Sequence, residues 1–128
     1  MVCNTESVVS GPAVKDSISP ETYLIGVTVL TSLNNKSLKQ IGHTKKIEQL
    51  VLKQTDLIKK SRCDGIVCSA QEAMMVRKKF KNLLIITPGI RLPGDNSNDQ
   101  VRIMTPKRAF KNLVSGIVMG RSLTKGNI

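Results

Sequence analysis

Aromatic residues are almost absent from this chain, which has no tryptophan, one tyrosine and two phenylalanines. The hydrophobic core must therefore be built from isoleucine, valine, leucine and methionine. Few side chains are left on which the bases of a single-stranded nucleic acid could stack. With 128 residues, of which 40% are hydrophobic, the chain is nevertheless long enough to form one small domain with a core.

Cysteine, histidine and long apolar runs are also scarce. The three cysteines form no Cys-x-x-Cys pair, which argues against a disulfide scaffold and predicts a reducing, cytoplasmic location. The single histidine, His43, belongs to no Cys/His cluster, so we expect no zinc site. No apolar run approaches about 18 residues and no signal pattern begins the chain, so we expect neither a membrane span nor secretion.

Positive charge dominates the composition, because 20 lysines and arginines face only 9 acids and give a net charge of +11. A surplus of this kind can indicate a partner rich in phosphate, such as a nucleic acid. The lysines are spread along helix-like segments and do not form one tail. We therefore favour solvated helix faces over a nucleic-acid partner.

Short apolar segments alternate with helix-like segments along the chain. The predicted strands are Leu24 to Leu30, Gly65 to Cys68, Leu83 to Ile86 and Ile117 to Met119, and the predicted helices cover Lys45 to Lys60, Ser69 to about Phe80 and Thr105 to about Asn112. Ser69 and Glu72 have the spacing of a capping box, and Pro106 suits a first helical position. This alternation predicts parallel strands joined by helical crossovers. Asp64 is predicted to be a turn or salt-bridge residue.

The N-terminal segment differs from the rest of the chain. Residues 1–22 are rich in serine, threonine and small residues and contain two prolines. We predict that this segment is poorly ordered, or is a degenerate remnant of a strand and a helix, and that the folded domain covers residues 23–128. Four strands cannot close a barrel. The strands that begin near Leu24 and end near Met119 are therefore predicted to be the edges of the sheet.

The most informative motif follows the third predicted strand, where Thr87-Pro88-Gly89-Ile90-Arg91 leads into a polar loop that ends at Gln100 and Arg102. An arginine offers a fork of donors that matches phosphate oxygens. A glycine lets backbone N–H groups approach such a group closely. Gly120-Arg121 repeats the combination after the last predicted strand. These residues are candidates for a phosphate site.

Together with Val27 to Ser32, Asp64 to Ala73 and Arg102 to Pro106, these motifs resemble the C-terminal half of the orotidine 5′-monophosphate decarboxylase family. The resemblance runs from about Tyr23 to Thr124. It implies an α/β fold, namely a partial (β/α)₈ or TIM barrel with about four C-terminal parallel strands and crossover helices, whereas a full barrel takes about 250 residues.

The resemblance also implies a ligand and a set of contacts. The ligand would be orotidine or uridine 5′-monophosphate, in a step of pyrimidine biosynthesis that needs no metal or organic cofactor. The implied substrate-binding residues are Thr31 on the side of the base and Arg91, Gln100, Gly120 and Arg121 around the phosphate.

The family's catalytic motif, Asp-x-Lys-x-x-Asp, does not occur in the sequence, and Asp56-Leu57-Ile58-Lys59 has the wrong spacing. Leu92 and Ser122 stand where the family has proline. We therefore predict no catalytic residue and no activity for the isolated chain. Four interpretations stay open: half of a split enzyme completed by a separate N-terminal half, an inactive truncated fragment, a nucleotide-phosphate binding module, and a basic nucleic-acid-associated protein. The expected protein partner is a complementary N-terminal half or, alternatively, further copies of the chain in a homo-oligomer.

Overall fold

The computed structural model describes residues 2–3, 15–29, 33–42, 44–95 and 103–124. Five strands form one sheet in chain order, and every neighbouring pair is parallel. The strands are β1 Val2–Cys3, β2 Ile25–Val27, β3 Gly65–Val67, β4 Leu84–Thr87 and β5 Gly116–Ile117. The helices are α1 Asn35–Gln40, α2 Ile47–Lys60, α3 Ala70–Lys79, α4 Pro106–Lys111 and α5 Arg121–Thr124.

All four predicted strands are present, but the prediction that the strand near Leu24 is a sheet edge is wrong. The β1 strand pairs with β2, so that Val2 lies beside Ile25 and Cys3 beside Gly26. A strand of two residues is too short to give a hydrophobic period in the sequence. Residues 4–14 lie outside the described residues, so the treatment of residues 1–22 as a separate segment stays a prediction.

The three predicted helices are present as α2, α3 and α4, whereas the sequence of Asn34 to Ile41 fits a loop or a short helix and no pattern predicts α5. Buried residues of α2 recur at helical spacing, at Ile47, Val51, Thr55 and Ile58. The first turn of α2 has no cap from Lys46, and instead the Asn35 side chain accepts a hydrogen bond from the Ile47 N–H at 2.8 Å.

Two predicted helix starts are also confirmed. The hydroxyl of Ser69 accepts a hydrogen bond from the Gln71 N–H at 3.3 Å and caps α3. Pro106 occupies the first turn of α4, and Thr105 is the N-cap residue without a side-chain hydrogen bond.

One face of the sheet packs against α2. Gly26, Ile66 and Ile85 form one register row, and both isoleucines are fully buried. A Cβ atom at Gly26 would lie 2.5 Å from Ile58 of α2. The helix therefore lies so close to the strand that only a glycine leaves room for it.

The opposite face of the sheet is apolar but only partly buried. Its side chains alternate along the strands with the buried row and are Ile25, Val27, Val67, Leu84 and Ile86. Parallel sheets are normally covered on both faces. In a closed barrel, side chains on such a face fill the interior together with those of the remaining strands.

The turn before β3 is fixed by Asp64, which confirms its predicted role in a salt bridge. Its carboxylate accepts hydrogen bonds from the Lys15 ammonium and from the Leu24 backbone N–H, the latter at 2.7 Å. Burial is the largest single influence and raises the pKa of this carboxyl, but the hydrogen bonds and the charge of Lys15 together outweigh burial. The pKa of Asp64 therefore lies below its ordinary value of 3.8.

Asp64 is expected to stabilise the fold most where its carboxylate is charged. Because its pKa is lowered on folding, this contribution is complete well above pH 3.8 and is lost as the pH falls through the lowered pKa. The Asp64→Asn variant should therefore be less stable at neutral pH and lose less stability on acidification. Urea unfolding between about pH 6 and pH 3 measures both effects. Glu48→Gln, at an exposed site on α2, is the matched control; equal behaviour of the two variants would contradict the prediction.

Candidate functional site

The candidate site begins at the carboxyl end of β4, where the chain enters the Thr87-Pro88-Gly89-Ile90-Arg91 turn. Gly89 has a φ of +73°, a conformation that glycine adopts without strain. The turn is tied to the far side of the loop by two hydrogen bonds, from Arg91 N–H to the Met104 carbonyl at 3.0 Å and from Met104 N–H to the Gly89 carbonyl at 3.1 Å. Ile90, between them, is fully buried. The backbone around Arg91 is thus held from both sides.

The side chain of Arg91 is buried, with 6% of its surface exposed. Its Nη1 donates to the Ile90 carbonyl at 2.9 Å, but its Nε has no hydrogen-bond partner among the described residues. The ion pairs within the same part of the chain do not include Arg91 either. A buried guanidinium with a free donor is costly unless an acceptor meets it. A bound anion would supply that acceptor.

A cleft of about 240 Å³ opens beside Arg91. Its described lining consists of Arg91, Leu92, Pro93, Gly94, Asp95, Ile103, Met104, Thr105 and Arg108. The Asp95 carboxylate accepts a hydrogen bond from the Leu92 N–H at 3.1 Å, which closes a tight turn. Two arginines against one carboxylate give the cleft a positive balance. Arg108 was not predicted, although its place two residues after Pro106 put it within reach of the loop.

The second predicted pair, Gly120 and Arg121, follows β5. The Gly120 carbonyl accepts hydrogen bonds from the N–H groups of Leu123 and Thr124, at 2.9 and 3.0 Å, and so begins α5. Among the described residues, apart from its two chain neighbours, no atom lies within 4 Å of where a Cβ of Gly120 would be. The described part of the fold therefore leaves room for a larger side chain here, whereas a ligand lying close to this backbone would require a glycine.

The sheet brings the two arginine-bearing turns to the same edge. The β4 and β5 strands are paired, with Thr87 beside Ile117, so their carboxyl ends lie side by side. Arg121 does not line the cleft beside Arg91. Two of the predicted substrate-binding residues, Thr31 and Gln100, lie outside the described residues, as does His43.

Two buried hydroxyl groups at this edge were missed by the sequence analysis. Thr87 is fully buried and Ser122 is 7% exposed, and neither hydroxyl has a hydrogen-bond partner among the described residues. Buried polar groups are normally paired. A threonine at the end of a strand is expected from β propensity alone, so nothing in the sequence marks Thr87 as a functional residue. Ser122 is marked in the sequence, because it replaces a proline of the resembled family.

A family model described as "Orotidine 5'-phosphate decarboxylase / HUMPS family" matches residues 7–127. The chain belongs to this family. A relative from Coxiella burnetii named "Orotidine 5'-phosphate decarboxylase" is 44% identical over 110 residues, which cover 85% of this chain and 47% of the relative. A relative of the same name from Pseudoalteromonas atlantica is 44% identical over 104 residues, which cover 80% of this chain and 45% of the relative.

Solved structures confirm the predicted fold. The orotidine 5′-phosphate decarboxylase of Lactobacillus acidophilus superposes with a TM-score of 0.74 at 25% identity, over 98% of this chain and 56% of that one. The corresponding enzyme from Sulfolobus solfataricus gives a TM-score of 0.65 at 14% identity, over 98% of this chain and 53% of that one, and is evidence for the fold alone. The five parallel strands and their helices are thus part of a TIM barrel.

The chain spans about half the length of the curated relatives that it matches. Among the described residues, no helix is long and apolar enough to cross a membrane. The cytoplasmic location stays a prediction from the cysteine pattern.

Proposed function

We propose that this chain is the phosphate-binding half of an orotidine 5′-phosphate decarboxylase and that it grips orotidine or uridine 5′-monophosphate by the phosphate. The observation that carries the proposal is the buried Arg91, whose Nε has no partner among the described residues. A phosphate in the adjoining cleft would accept from this donor in a charge-assisted hydrogen bond. In this proposal, Arg108 in the lining of the cleft and Arg121 at the end of the neighbouring strand add positive charge near the phosphate.

The chain is proposed to bind without catalysing. Decarboxylation at C6 of the pyrimidine leaves a carbanion-like centre that must be protonated, and the family motif for this task is missing from the sequence. The arginines cannot replace it, because a guanidinium stays protonated in proteins. Binding energy from a phosphate far from the reacting carbon can still contribute to catalysis when the rest of the site is present. In this proposal, Thr31 and Gln100 complete the contacts to the base and the phosphate.

We also propose a partner for the partly buried face of the sheet. The five apolar side chains there, from Ile25 to Ile86, are positioned like the interior of a barrel. A complementary N-terminal half would cover them and supply the lysine and the aspartates. A homo-oligomer is the second candidate, because another copy of the chain offers the same apolar face.

Removing the guanidinium group of Arg91 tests the proposed phosphate site. Arg91→Met keeps the side chain long and removes a buried charge, so the fold should not suffer. We expect it to weaken binding of uridine 5′-monophosphate by about 1.5–3 kcal/mol, the range for hydrogen bonds to charged groups. Titration calorimetry with the nucleotide and with uridine separates the phosphate from the base, because uridine should bind both proteins equally. Arg121→Met is expected to act in the same direction.

The matched control is Arg62→Met, which removes an exposed arginine that is paired with Asp16. This variant should bind the nucleotide as the parent chain does. An equal loss for nucleotide and uridine in Arg91→Met would place Arg91 outside a phosphate site. Failure of the parent chain to bind the nucleotide at all would contradict the proposed function.

A further inference from the structure

The topology collects lysines at the end of the sheet opposite to Arg91. In a parallel sheet each crossover helix runs back against its strand, so the helix ends and the following strand starts lie at one end. The α2, α3 and α4 helices all finish there in lysine. We call the exposed lysines at this end the basic face; they are Lys59, Lys60, Lys78, Lys79, Lys81 and Lys111.

Most of these lysines form no ion pair within the described residues. Lys60 pairs with Asp56 at 2.8 Å, whereas the other members of the basic face have no carboxylate within 4.0 Å there. The pKa of Asp56 is lowered by its hydrogen bond from Lys60 and, in addition, by the charges of Lys79 and Lys59, so this carboxylate partly offsets the charge of the face. A cation in the last turn of a helix interacts favourably with the helix dipole. That effect accounts for single lysines such as Lys59 and Lys79. It does not account for Lys81, which lies beyond the end of α3.

Three of these lysines surround one cleft. The cleft has a volume of about 490 Å³, and its described lining contains one carboxylate, Asp64, which is already paired with Lys15. The other lining residues are Lys59, Cys63, Lys79, Phe80, Lys81, Asn82 and Leu83. The ammonium groups of Lys59 and Lys79 come from different helices, yet each lies 5.5 Å from the centre of the Phe80 ring. Three ammonium groups against the single Asp64 carboxylate give the cleft a positive balance, which would attract an anion.

Backbone carbonyls of two residues that line the cleft accept hydrogen bonds from Arg77. The Arg77 guanidinium donates to the carbonyls of Lys81 and Leu83, at 2.8 and 2.7 Å. It also donates to the Leu113 carbonyl at 3.2 Å and the Ser115 hydroxyl at 3.1 Å. One side chain thus joins the turns before β4 and β5 and holds the backbone of Lys81.

All three aromatic residues of the chain lie at this same end. Tyr23 precedes β2 and is 63% exposed, and Phe110 stands in the last turn of α4 and is 51% exposed. The sequence alone showed few aromatics but not that they share one end with the lysines. Between β2 and β5 lie three strand spacings of about 4.8 Å, or about 14 Å. That span suits a chain of several phosphates better than one nucleotide.

We propose that the basic face binds single-stranded nucleic acid without sequence preference. The ammonium groups contact the phosphates, and the exposed rings of Tyr23 and Phe110 stack on bases, as in proteins that combine a positive groove with aromatic platforms. Exposed aromatics favour unpaired bases over a duplex, in which the base faces are covered. This surface is separate from the phosphate site at Arg91 and does not depend on the function proposed there.

The test uses the full chain and fluorescein-labelled oligo-dT of about 20 nucleotides, longer than the site of one single-strand binding fold. The variant Lys59→Gln/Lys79→Gln/Lys81→Gln should bind at least about tenfold more weakly, and the slope of log affinity against log salt should fall by about 2, for three phosphate contacts. Tyr23→Leu and Phe110→Leu should each weaken binding about fivefold or more, as expected for a lost stacking contact.

The matched control removes the same net charge elsewhere, with Lys36→Gln/Lys45→Gln/Lys53→Gln, all exposed lysines outside the basic face. It should change the affinity less than about twofold if the face, and not the overall charge, binds the phosphates. Circular dichroism of each variant verifies that the fold is unchanged. Equal weakening by both triple variants would overturn the proposal, as would stronger binding to phosphatidylserine vesicles than to the oligonucleotide. Displacement of the oligonucleotide by uridine 5′-monophosphate would indicate that the oligonucleotide binds at the Arg91 site, and this result would also overturn the proposal.

Discussion

The isolated chain is expected to form no uridine 5′-monophosphate from orotidine 5′-monophosphate. Proton transfer by a positioned acid and stabilisation of charge in the transition state are the main terms of such a reaction. The sequence has no Asp-x-Lys-x-x-Asp motif to supply them. Loss of absorbance by the orotate ring, followed over hours with the purified chain, measures this directly. Turnover above the buffer rate that is abolished in Arg91→Met would show that the chain carries its own catalytic group.

Decarboxylase activity is expected when the proposed complementary half is added to the chain. The part of the Coxiella burnetii relative that lies outside the matched 47% is a suitable donor of the complementary strands. The mixture should turn over the substrate, and Arg91→Met in this chain should lower that activity through weaker phosphate binding. Co-purification without activity would favour a truncated fragment. No association at all would contradict the proposed partner.

Local patterns were sufficient to predict most of the framework. Nearly continuous apolar segments such as Leu83 to Ile86 predicted buried strands, and Ser69 with Glu72 predicted the start of α3, because these signals depend only on neighbouring residues. The pairing of β1 with β2 joins residues 23 positions apart and involves only two residues of each strand. No local pattern encodes such a contact.

The site was predictable in its residue types but not in its geometry. Arg91 was identified by its place after a strand and a glycine turn. That its guanidinium is buried follows from the contact between Gly89, Arg91 and Met104 across a long loop, and the sequence does not specify that contact. The same applies to Arg77, which donates to a carbonyl 36 residues away.

The chain is expected to self-associate when no complementary half is present. Among the described residues, β5 pairs only with β4, so its outer edge offers unpaired backbone groups. Exposed apolar side chains lie near this edge, including Leu113, Val118 and Leu123. Together with the partly buried face of the sheet, they form an apolar surface of the kind that drives association. The net charge of +11 opposes clumping but does not satisfy backbone groups.

A charge at this edge should block the association. Val118→Lys places a cation beside β5, where lysines are known to prevent edge pairing, and should shift the sedimentation coefficient towards that of a monomer. Leu57→Lys, at an exposed apolar site on α2, is the matched control and should leave the association unchanged. Hydrogen exchange adds a second measurement, since amides of β3 should be protected and those at the outer edge of β5 should gain protection only in the associated form. A compact monomer with strong protection in both β1 and β5 would contradict the expected self-association, because the sheet edges would then be satisfied within a single chain.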